Sequence, residues 1–418
     1  MELVPVKLTS VIVTEPLRFA LWDEKGVLLA KKGYQFDDRR ELEELVEGRD
    51  NVYIDIVDSA LHRQQHLGQM VGMLNSNVPL GRIADSQPTA KLPEGPSFKS
   101  VLERSAPEVE KDPDWPYLQE QLHAILRRTE DSVFINQLDR VDQKLSLFSR
   151  LNADGVLLAL IQMAAVEVER YSATHAMLVS VMCGIAAREV LKWPLAEQEC
   201  LSRAALTMNI GMTELQDRLA QQKEPLGPPQ RRIIDGHARR SAEMLQKLGV
   251  SDGNWITAVL EHHSRTPGPL GNRTPGERMA RLIQRADMFA AAISPRAGRK
   301  PMLPGLAMKA AYFDELKQVD EAGAALIKAV GIYSPGTFVR LACGELAVVV
   351  RRGANTPTPT VAVIVSKSGL ANSELPLRDT TQPDFKITAS IPHHDIRSRP
   401  NLKRLLPLTL GRGRSLAS

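Results

Sequence analysis

The amino-acid sequence predicts a mainly α protein, with an all-α helical bundle flanked by a small N-terminal α+β module and a C-terminal β-strand extension. Between residues 155 and 293 the apolar side chains recur with helical spacing. One such face, at i, i+3, i+4 and i+7, is formed by Leu178, Val181, Met182 and Ile185. Before residue 57 and after residue 332 the apolar residues instead alternate, as they do in strands. A run of helices without a competing sheet is typical of an all-α bundle.

Residues 1–57 form the predicted small α+β accessory module. Two β-rich runs are separated by residues 23–26 (DEKG), which is typical of a hairpin turn. A charged helix is predicted over residues 37–47, followed by the short strand NVYIDIV. The module is interpreted either as a packing accessory to the central domain or as a sensory or docking domain.

Residues 58–150 combine a Pro/Gly-rich linker with amphipathic helices. From about residue 75 to 115 the chain is rich in Pro, Gly and Ser and has little periodicity. Because such a composition cannot bury a core, this stretch is predicted to be a linker. Helical spacing returns from Leu118 to Phe148, which predicts one long amphipathic helix or a pair of helices. This segment either packs on the bundle as an extra element or forms the seam of a homodimer.

The helical domain is predicted over residues 151–330. Within it we expect a short apolar helix over residues 203–212, followed after Thr213 by a polar, flexible segment. Further helices are predicted over residues 231–248, 255–263 and 277–293.

Residues 331–390 form the predicted C-terminal β extension, and residues 391–418 a basic tail. Strand-like runs flank the turn at residues 343–345, and TPTVAVIVSKSG adds another strand, so we expect a β-hairpin packed on the bundle. From Arg397 to Ser418 the chain holds six Lys and Arg residues and no acidic residue. We therefore expect residues after about 397 to be poorly ordered and to contribute little to stability. An interaction arm for an acidic partner is the alternative.

The composition is that of a globular protein without a strong bias toward one class of partner. Hydrophobic residues make up 43% and charged residues 24%, and the net charge is +4 over 418 residues. So small a charge gives no argument for specific nucleic-acid binding. The three cysteines form no CxxC pair, and no apolar run is long enough to span a bilayer. We therefore expect a reducing, cytoplasmic setting without a secretory signal.

Four histidines and one aspartate stand out because most of them lie in apolar segments of helical length. They are His175, His237, His262, His263 and Asp287. Placing an imidazole or a carboxylate there costs desolvation free energy unless the side chain finds a partner. Imidazole nitrogens and a carboxylate oxygen from separate helices are the ligands that a divalent metal ion would use. Taken singly, each His could be a hydrogen-bonded core residue, and Asp287 could pair with Arg281, Arg285 or Arg296.

The order of these residues resembles the HD-GYP branch of the HD phosphohydrolases, which cleave the bacterial messenger cyclic di-GMP. In that family a first His precedes a His-Asp pair, a Gly-Lys, a later His, a His-His pair and a final Asp. His175 resembles the first His and His237 the later one. His262 and His263 resemble the pair, and Asp287 the final Asp. The resemblance covers roughly residues 150–330 and implies an HD-type helical bundle.

Two further segments are similar to the family. Residues 296–299 (RAGR) resemble its Arg-Pro-Tyr-Arg run, which implies that Arg296 and Arg299 border the site and contact phosphate. Surface ion pairs are the alternative for both arginines. Residues 333–350 resemble the β-rich extension that often follows the helical domain in family members.

The centre of the motif differs from the family. Met208-Asn209 stands where the family has its His-Asp pair, and Met212 where it has the lysine after glycine. In the family that aspartate bridges two metal ions, a role for which Asn209 lacks the negative charge. The thioether of Met208 is a poor ligand for iron, manganese or magnesium. The family's Gly-Tyr-Pro loop is also shortened here, to residues 267–269 (PGP).

Two functions are therefore considered. The first is a signalling protein with a degenerate metal site, non-catalytic, that binds a cyclic dinucleotide or a signalling protein partner. The second is a metal-dependent phosphohydrolase, a cyclic di-GMP phosphodiesterase that uses a residual single-metal site. The surviving histidines could hold one divalent ion of iron, manganese or zinc, or none. The residues Met208, Asn209 and Met212 favour the first function and predict negligible turnover of cyclic di-GMP.

Overall fold

The computed structural model describes residues 3–6, 17, 20–23, 28–30, 34, 52–55, 113–129, 133–397 and 400–410. The chain divides into two compact units, residues 1–108 and residues 109–418. The first unit holds a small sheet, and the second holds a helical bundle with a second sheet.

In the described part of the first unit, short strands form an antiparallel sheet in the order β1-β4-β2-β3. They are β1 (Leu3–Val6), β2 (Leu21–Trp22), β3 (Leu28–Ala30) and β4 (Val52–Asp55). Strands β2 and β3 pair on either side of residues 23–27, which agrees with the predicted hairpin. Leu21 and Val52 are fully buried, so the sheet has an apolar face. The helix predicted at residues 37–47 and the linker up to residue 112 lie outside the described residues.

The second unit is built on a helical bundle, so the predicted mainly α fold class is confirmed. Its helices are α1 (Trp115–Arg127), α2 (Phe134–Leu151), α3 (Ala153–Ala164), α4 (Tyr171–Ile185), α5 (Leu195–Thr207), α6 (Thr213–Gln221), α7 (Pro228–Lys247), α8 (Gly253–Glu261), α9 (Pro275–Ile293), α10 (Pro304–Tyr312) and α11 (Glu321–Val330). A π-helical turn, Ala186–Val190, follows α4, and a 3-10 turn, Ile210–Met212, lies between α5 and α6.

Helix α4 lies at the centre of the bundle. Nearly all of its residues are buried, and helices α3, α5 and α9 pack around it. A helix that is buried on all sides must be apolar all round, and the few polar groups that it carries must find partners. His175 and Ser180 are two of these groups.

Capping side chains fix where helices α8 and α9 begin. The hydroxyl of Thr274 accepts a hydrogen bond from the amide of Glu277, and the Glu277 carboxylate accepts one from the amide of Thr274. This capping box, followed by Pro275 at the first helical position, starts α9. The carboxylate of Asp252 caps α8 in the same way, and each cap contributes about 1 kcal/mol. Asp287 lies on α9, and His262 and His263 directly follow α8, so these caps help to position the predicted site residues.

The segment from Leu118 to Phe148 forms a pair of helices, α1 and α2, which was one of the two arrangements expected. Leu122, Leu138 and Leu145 are almost completely buried in the main core. The pair therefore packs on the bundle as extra elements.

The prediction of a flexible segment after Thr213 is wrong for its first part, because residues 213–221 form helix α6. Leu215 and Ala220 are buried together with the polar residues Thr213, Gln216 and Asp217, while Glu214, Arg218 and Gln221 are exposed. The helix has only one narrow apolar face, and its polar residues obscured that face in the sequence. Residues 222–227 form the remaining connection to α7.

After the bundle, the chain forms an antiparallel sheet in the order β8-β7-β6-β5-β9. The strands are β5 (Phe338–Leu341), β6 (Leu346–Arg351), β7 (Thr360–Val365), β8 (Leu377–Asp379) and β9 (Ile387–Ile391). The expected hairpin is β5–β6, and its turn uses Gly344 at a φ of 90°, a conformation that favours glycine. Phe338 and Val348 pack against Leu158 of α3, so the sheet covers one side of the bundle. The extension is larger than the hairpin expected from the sequence.

The basic tail differs from its prediction as well. Residues Leu402–Thr409 form a helix, α12, that packs on α3 and β6. Leu405 is 1% exposed, and the Thr409 hydroxyl accepts a hydrogen bond from the side-chain amide of Asn152 at 2.7 Å. The expectation of disorder after about residue 397 is therefore wrong for residues 400–410, because leucines between the basic residues bury an apolar face. Residues 411–418 lie outside the described part of the chain.

The docked tail leads to a stability prediction. We expect Leu405→Ala to lower the free energy of unfolding by about 2–4 kcal/mol, because it removes a buried leucine from the contact between α12, α3 and β6. Urea unfolding followed by circular dichroism measures the effect. Lys403→Ala, on the exposed side of the same helix, is the matched control and should change stability by less than about 0.5 kcal/mol. Equal effects of the two substitutions would contradict docking of the tail.

Among the helices that the structure describes, none is both long and apolar enough to cross a membrane.

Candidate metal centre

Three helices, and the residues that directly follow a fourth, carry the predicted ligands. His175 lies on α4, His237 on α7 and Asp287 on α9, while His262 and His263 directly follow α8. Helix α9 packs against α8 and α4, and α8 packs against α7. Side chains up to 112 residues apart in the sequence are therefore brought into contact.

Three of the histidines form a compact group, which we call the histidine trio: His237, His262 and His263. The Nε2 atom of His237 lies 3.2 Å from Nε2 of His262 and 3.2 Å from Nε2 of His263. One ring nitrogen from each residue lies within 4.8 Å of the other two. His237 and His262 are buried and His263 is exposed, so the trio opens to solvent on one side.

Hydrogen bonds to the backbone fix the protonation of the two buried rings. Nδ1 of His237 lies 2.5 Å from the carbonyl oxygen of Ile234, and Nδ1 of His262 lies 2.6 Å from that of Val259. Because a carbonyl oxygen can only accept a hydrogen bond, Nδ1 carries the hydrogen in both rings. In the neutral rings, Nε2 is then the atom with the free lone pair.

Burial keeps these two rings neutral. Together with the nearby His263 and His237, it lowers the pKa of His262 to about 3. Burial also lowers the pKa of His237. Two lone pairs that face each other at 3.2 Å repel, and a cation between them would convert the repulsion into coordination. This donor set therefore fits a divalent metal ion that accepts imidazole ligands, such as zinc or iron.

His175 and Asp287 form a second part of the centre. Nε2 of His175 lies 2.6 Å from Oδ1 of Asp287, and the His175 ring is almost completely buried. Burial alone would raise the pKa of Asp287, but the hydrogen bond with His175 and its interactions with His262 and His263 hold it well below the usual range. Asp287 is therefore ionised, and its charge acts on the trio. It pairs with His175 rather than with the arginines considered from the sequence.

The connection between α5 and α6 is anchored to both helices that lead to the trio. The Gly211 amide donates to the Ser241 hydroxyl on α7 at 2.9 Å. A Cβ at Gly211 would lie 3.0 Å from the carbonyl oxygen of His237, so only glycine allows this close approach. At the other end, the indole of Trp255 on α8 donates to the Thr207 hydroxyl at 2.9 Å. Residues 208–210 are thus held between α7 and α8.

Met208, Asn209 and Met212, which differ from the family motif, lie on this connection. Met208 is fully buried and belongs to the apolar core. The Oδ1 atom of Asn209 is buried and has no hydrogen-bond partner among the described residues. Met212 is half-buried. At these positions, where the family resemblance predicts an imidazole, a carboxylate and an ammonium group, the chain has two thioethers and one neutral amide.

The two predicted phosphate-binding arginines lie in one tight turn. The amide of Arg296 donates to the carbonyl oxygen of Arg299, and the reverse bond is also present. Arg296 donates to the Tyr171 hydroxyl at 3.0 Å, and the Tyr171 ring stacks on His175 with a centroid distance of 5.5 Å. Burial, together with the nearby charge of Arg296, lowers the pKa of Arg299. Among the described residues, neither guanidinium has a carboxylate within 4.0 Å, so the predicted alternative of surface ion pairs is not observed there.

Two features of the site region were missed from the sequence. Tyr171 links Arg296 to His175, and tyrosine gave no signal because it is a common core residue. Arg281 and Arg285 of α9 are buried and pair with Glu315 and Asp320. Two buried arginines one turn apart on a helix indicate that acidic partners are present. The sequence did not show that these partners lie in the loop before α11.

The fold and the centre define a helical bundle with a histidine-rich site of the metal-binding type. Residues 158–322 match the sequence profile of the HD domain family. This match includes all five predicted metal ligands. Residues 158–322 therefore form an HD domain.

Two known proteins resemble the chain. It is 28% identical over 240 residues to "Cyclic di-GMP phosphodiesterase PA4108" of Pseudomonas aeruginosa strain PAO1. The aligned region covers 55% of each protein, so the chain spans about half the length of this relative. Bd1817, a HDG"Y"P protein from Bdellovibrio bacteriovorus, has a solved structure that matches with a TM-score of 0.40 and 15% identity. That match covers 78% of this chain and 98% of the other.

Proposed function

We propose that this chain is a non-catalytic signalling protein of the HD-GYP type that holds one divalent metal ion and binds a cyclic dinucleotide. The histidine trio would hold the metal, and Arg296 and Arg299 would contact phosphate. Free, buried Cys183 and Cys200 fit a reducing compartment, so we place this role in the cytoplasm.

The observation that carries the proposal is the chemistry of the connection between α5 and α6. Met208 and Asn209 are held between the two helices that lead to the trio, where the family has its His-Asp pair. Hydrolysis of a phosphodiester needs an activated water and positive charge at the phosphate. The substitutions remove a ligand, a bridging carboxylate and a phosphate-holding cation. Each loss commonly costs about 10²–10³ in rate, although effects within one site need not multiply.

The remaining residues can still recognise a phosphodiester. A metal ion on the trio would supply positive charge for a phosphate oxygen. Arg296 and Arg299 offer guanidinium groups that the described residues leave without a carboxylate partner, and such groups bind phosphate in a bidentate manner. The stacking of Tyr171 on His175 fixes the position of Arg296 relative to the metal centre. Binding without turnover is the activity that this set of groups supports.

Arg296 provides a direct test of nucleotide binding. We expect Arg296→Ala to weaken the binding of cyclic di-GMP by about 10- to 100-fold, because hydrogen bonds to charged groups contribute about 1.5–3 kcal/mol. Isothermal titration calorimetry with the zinc-loaded protein measures the dissociation constant. Arg340→Ala, an exposed arginine on β5, is the matched control and should bind like the native chain.

The outcome distinguishes the two kinds of partner. Loss of binding in Arg296→Ala, with normal binding in Arg340→Ala, supports a nucleotide ligand. If the native chain shows no binding of cyclic di-GMP, the nucleotide is contradicted, and a signalling protein becomes the partner to seek.

One observation favours a second function, a phosphodiesterase with a single metal ion. The trio presents two neutral imidazoles with defined Nε2 lone pairs beside an open, exposed His263. Three protein ligands with one open position are typical of catalytic zinc sites. Metal-dependent conversion of cyclic di-GMP to a linear product by the native chain would establish this function in place of the first.

A further inference from the structure

A cavity of about 380 Å³ lies between helices α2, α4 and α5, and none of its lining residues belongs to the metal centre. Its volume is in the range of pockets that hold small molecules. The wall combines apolar side chains, Leu145, Val181 and Leu195, with buried polar groups. The main core cluster of the bundle consists of apolar residues, so a cavity lined by buried polar groups beside it requires an explanation.

The floor of the cavity holds a buried carboxylate, Asp142, that is only partly satisfied. Asp142 is 4% exposed, and its Oδ1 accepts a hydrogen bond from the Ser202 hydroxyl. The Ser180 hydroxyl lies 2.8 Å from that of Ser202 and continues this row of polar groups. The nearest cation to the second carboxylate oxygen, Oδ2, is Arg203, whose Nε lies 4.0 Å away. Within the described chain, no hydrogen bond reaches Oδ2.

The charges around the cavity leave Asp142 undercompensated. Arg203 is closer to Asp139, at 3.0 Å, and Arg188 pairs with Glu189 at 3.0 Å. Of the other charged residues on the wall, Asp142 and Glu199 are acidic, while Arg150 is basic and bonds to the neutral Gln198. The lining itself holds three arginines and two acidic residues. When Arg203 and Arg188 are counted with Asp139 and Glu189, which lie outside the lining, an excess of about one negative charge remains.

The raised pKa of Asp142 agrees with a carboxylate whose charge is poorly compensated. Burial raises its pKa to about 6, against the opposing effects of the Ser202 hydrogen bond and Arg203. The carboxylate is thus mostly ionised near neutral pH, although it is poorly solvated. A cationic ligand with N–H donors would supply the hydrogen bonds and the positive charge that replace the lost hydration of the Asp142 carboxylate.

Gly184 gives a second, independent sign that the space is kept open. It lies in the last turn of α4, lines the cavity, and a Cβ added there would meet no atom within 4 Å. Glycine destabilises a helix relative to alanine, and no turn or close backbone approach requires it at this position. Gly184 therefore leaves space in the cavity but makes helix α4 less stable than alanine would.

We propose that this cavity is a binding site for a small organic monocation with a primary ammonium group and an apolar body. The ammonium group donates hydrogen bonds to Oδ2 of Asp142 and to the Ser180 hydroxyl. The apolar body lies against Leu145, Val181 and Leu195. The single positive charge balances the excess negative charge around the cavity.

The test uses n-hexylammonium chloride as a probe with the full chain, in thermal unfolding and isothermal titration calorimetry. We expect a saturable rise in the melting temperature and one binding site per chain. Two comparison molecules separate the contributions: 1-hexanol has no charge, and hexyltrimethylammonium has the charge without N–H donors. Both should bind at least about tenfold more weakly, because a charge-assisted hydrogen bond is lost in each case. Equal binding of 1-hexanol, or no saturable binding of the ammonium probe, would overturn the proposal.

Two substitutions locate the binding. Asp142→Asn keeps the shape of the side chain and should weaken binding by about 10- to 100-fold. Gly184→Leu places a side chain in the cavity and should abolish binding, while it should raise the melting temperature of the free protein. This variant therefore tests the site even if Asp142→Asn does not fold. Glu169→Gln, an exposed carboxylate outside the cavity, is the control and should bind like the native chain. Native-like binding by Gly184→Leu would contradict the site.

Discussion

The variant His263→Ala is expected to bind zinc about 100-fold more weakly than the native chain, or weaker still. Zinc sites held by protein side chains contribute about 10–16 kcal/mol in total, so one ligand of three accounts for several kcal/mol. A loss of about 3 kcal/mol corresponds to about a hundredfold change in affinity. His263 is chosen because it is exposed, so its removal leaves no cavity in the core.

Equilibrium dialysis against zinc, followed by elemental analysis, gives the metal content and affinity. His394→Ala is the matched control, since His394 is an exposed histidine that does not belong to the trio. We also expect magnesium to bind far more weakly than zinc, because magnesium prefers oxygen ligands to imidazole. If both variants and the native chain retain the same zinc affinity, the trio is not the metal site.

The triple variant Met208→His, Asn209→Asp, Met212→Lys is expected to gain metal-dependent hydrolysis of cyclic di-GMP that the native chain lacks. The substitutions restore a nitrogen ligand, a carboxylate and a cation on the connection between α5 and α6. Because lost stabilisers of this kind each cost about 10²–10³ in rate, the gain should be at least about 10²-fold over the native background. Chromatographic separation of the linear and cyclic dinucleotides, with manganese or iron present, measures the rate.

Two controls define what this result means. Met212→Lys alone restores the phosphate-holding cation without the metal ligands, and it should stay inactive. Metal content measured on the triple variant separates a failure to load metal from a failure of the chemistry. An inactive triple variant with full metal content would show that these three positions are not the cause of the loss, and the shortened loop at residues 267–269 would be examined next.

The elements that the sequence predicts well are those with strong local patterns. The apolar spacing in α4 marked a buried helix, and alternation after residue 332 marked the strands of the extension. The candidate site residues stand out because polar side chains in apolar helices are costly. Their grouping depended on the order of several motifs, since no single histidine carries that information.

The elements that were missed depend on contacts between distant segments. The docked helix α12 was obscured by its basic residues, although Leu405 is buried against α3 and β6. The free Nε2 atoms of His237 and His262 follow from hydrogen bonds to backbone carbonyls, which no sequence pattern shows. The unpartnered Oδ2 of Asp142 and the cavity beside Gly184 likewise arise only when α2, α4 and α5 pack together.

The most direct test of the proposed function is the turnover of cyclic di-GMP by the native chain after loading with manganese, iron or zinc. We predict measurable binding of the nucleotide with no linear product above the rate without protein, for each of the three metals. Metal content and nucleotide binding are measured on the same preparation, so that an inactive sample is known to be loaded and folded. Robust, metal-dependent formation of the linear dinucleotide would contradict the non-catalytic function and establish a single-metal phosphodiesterase instead.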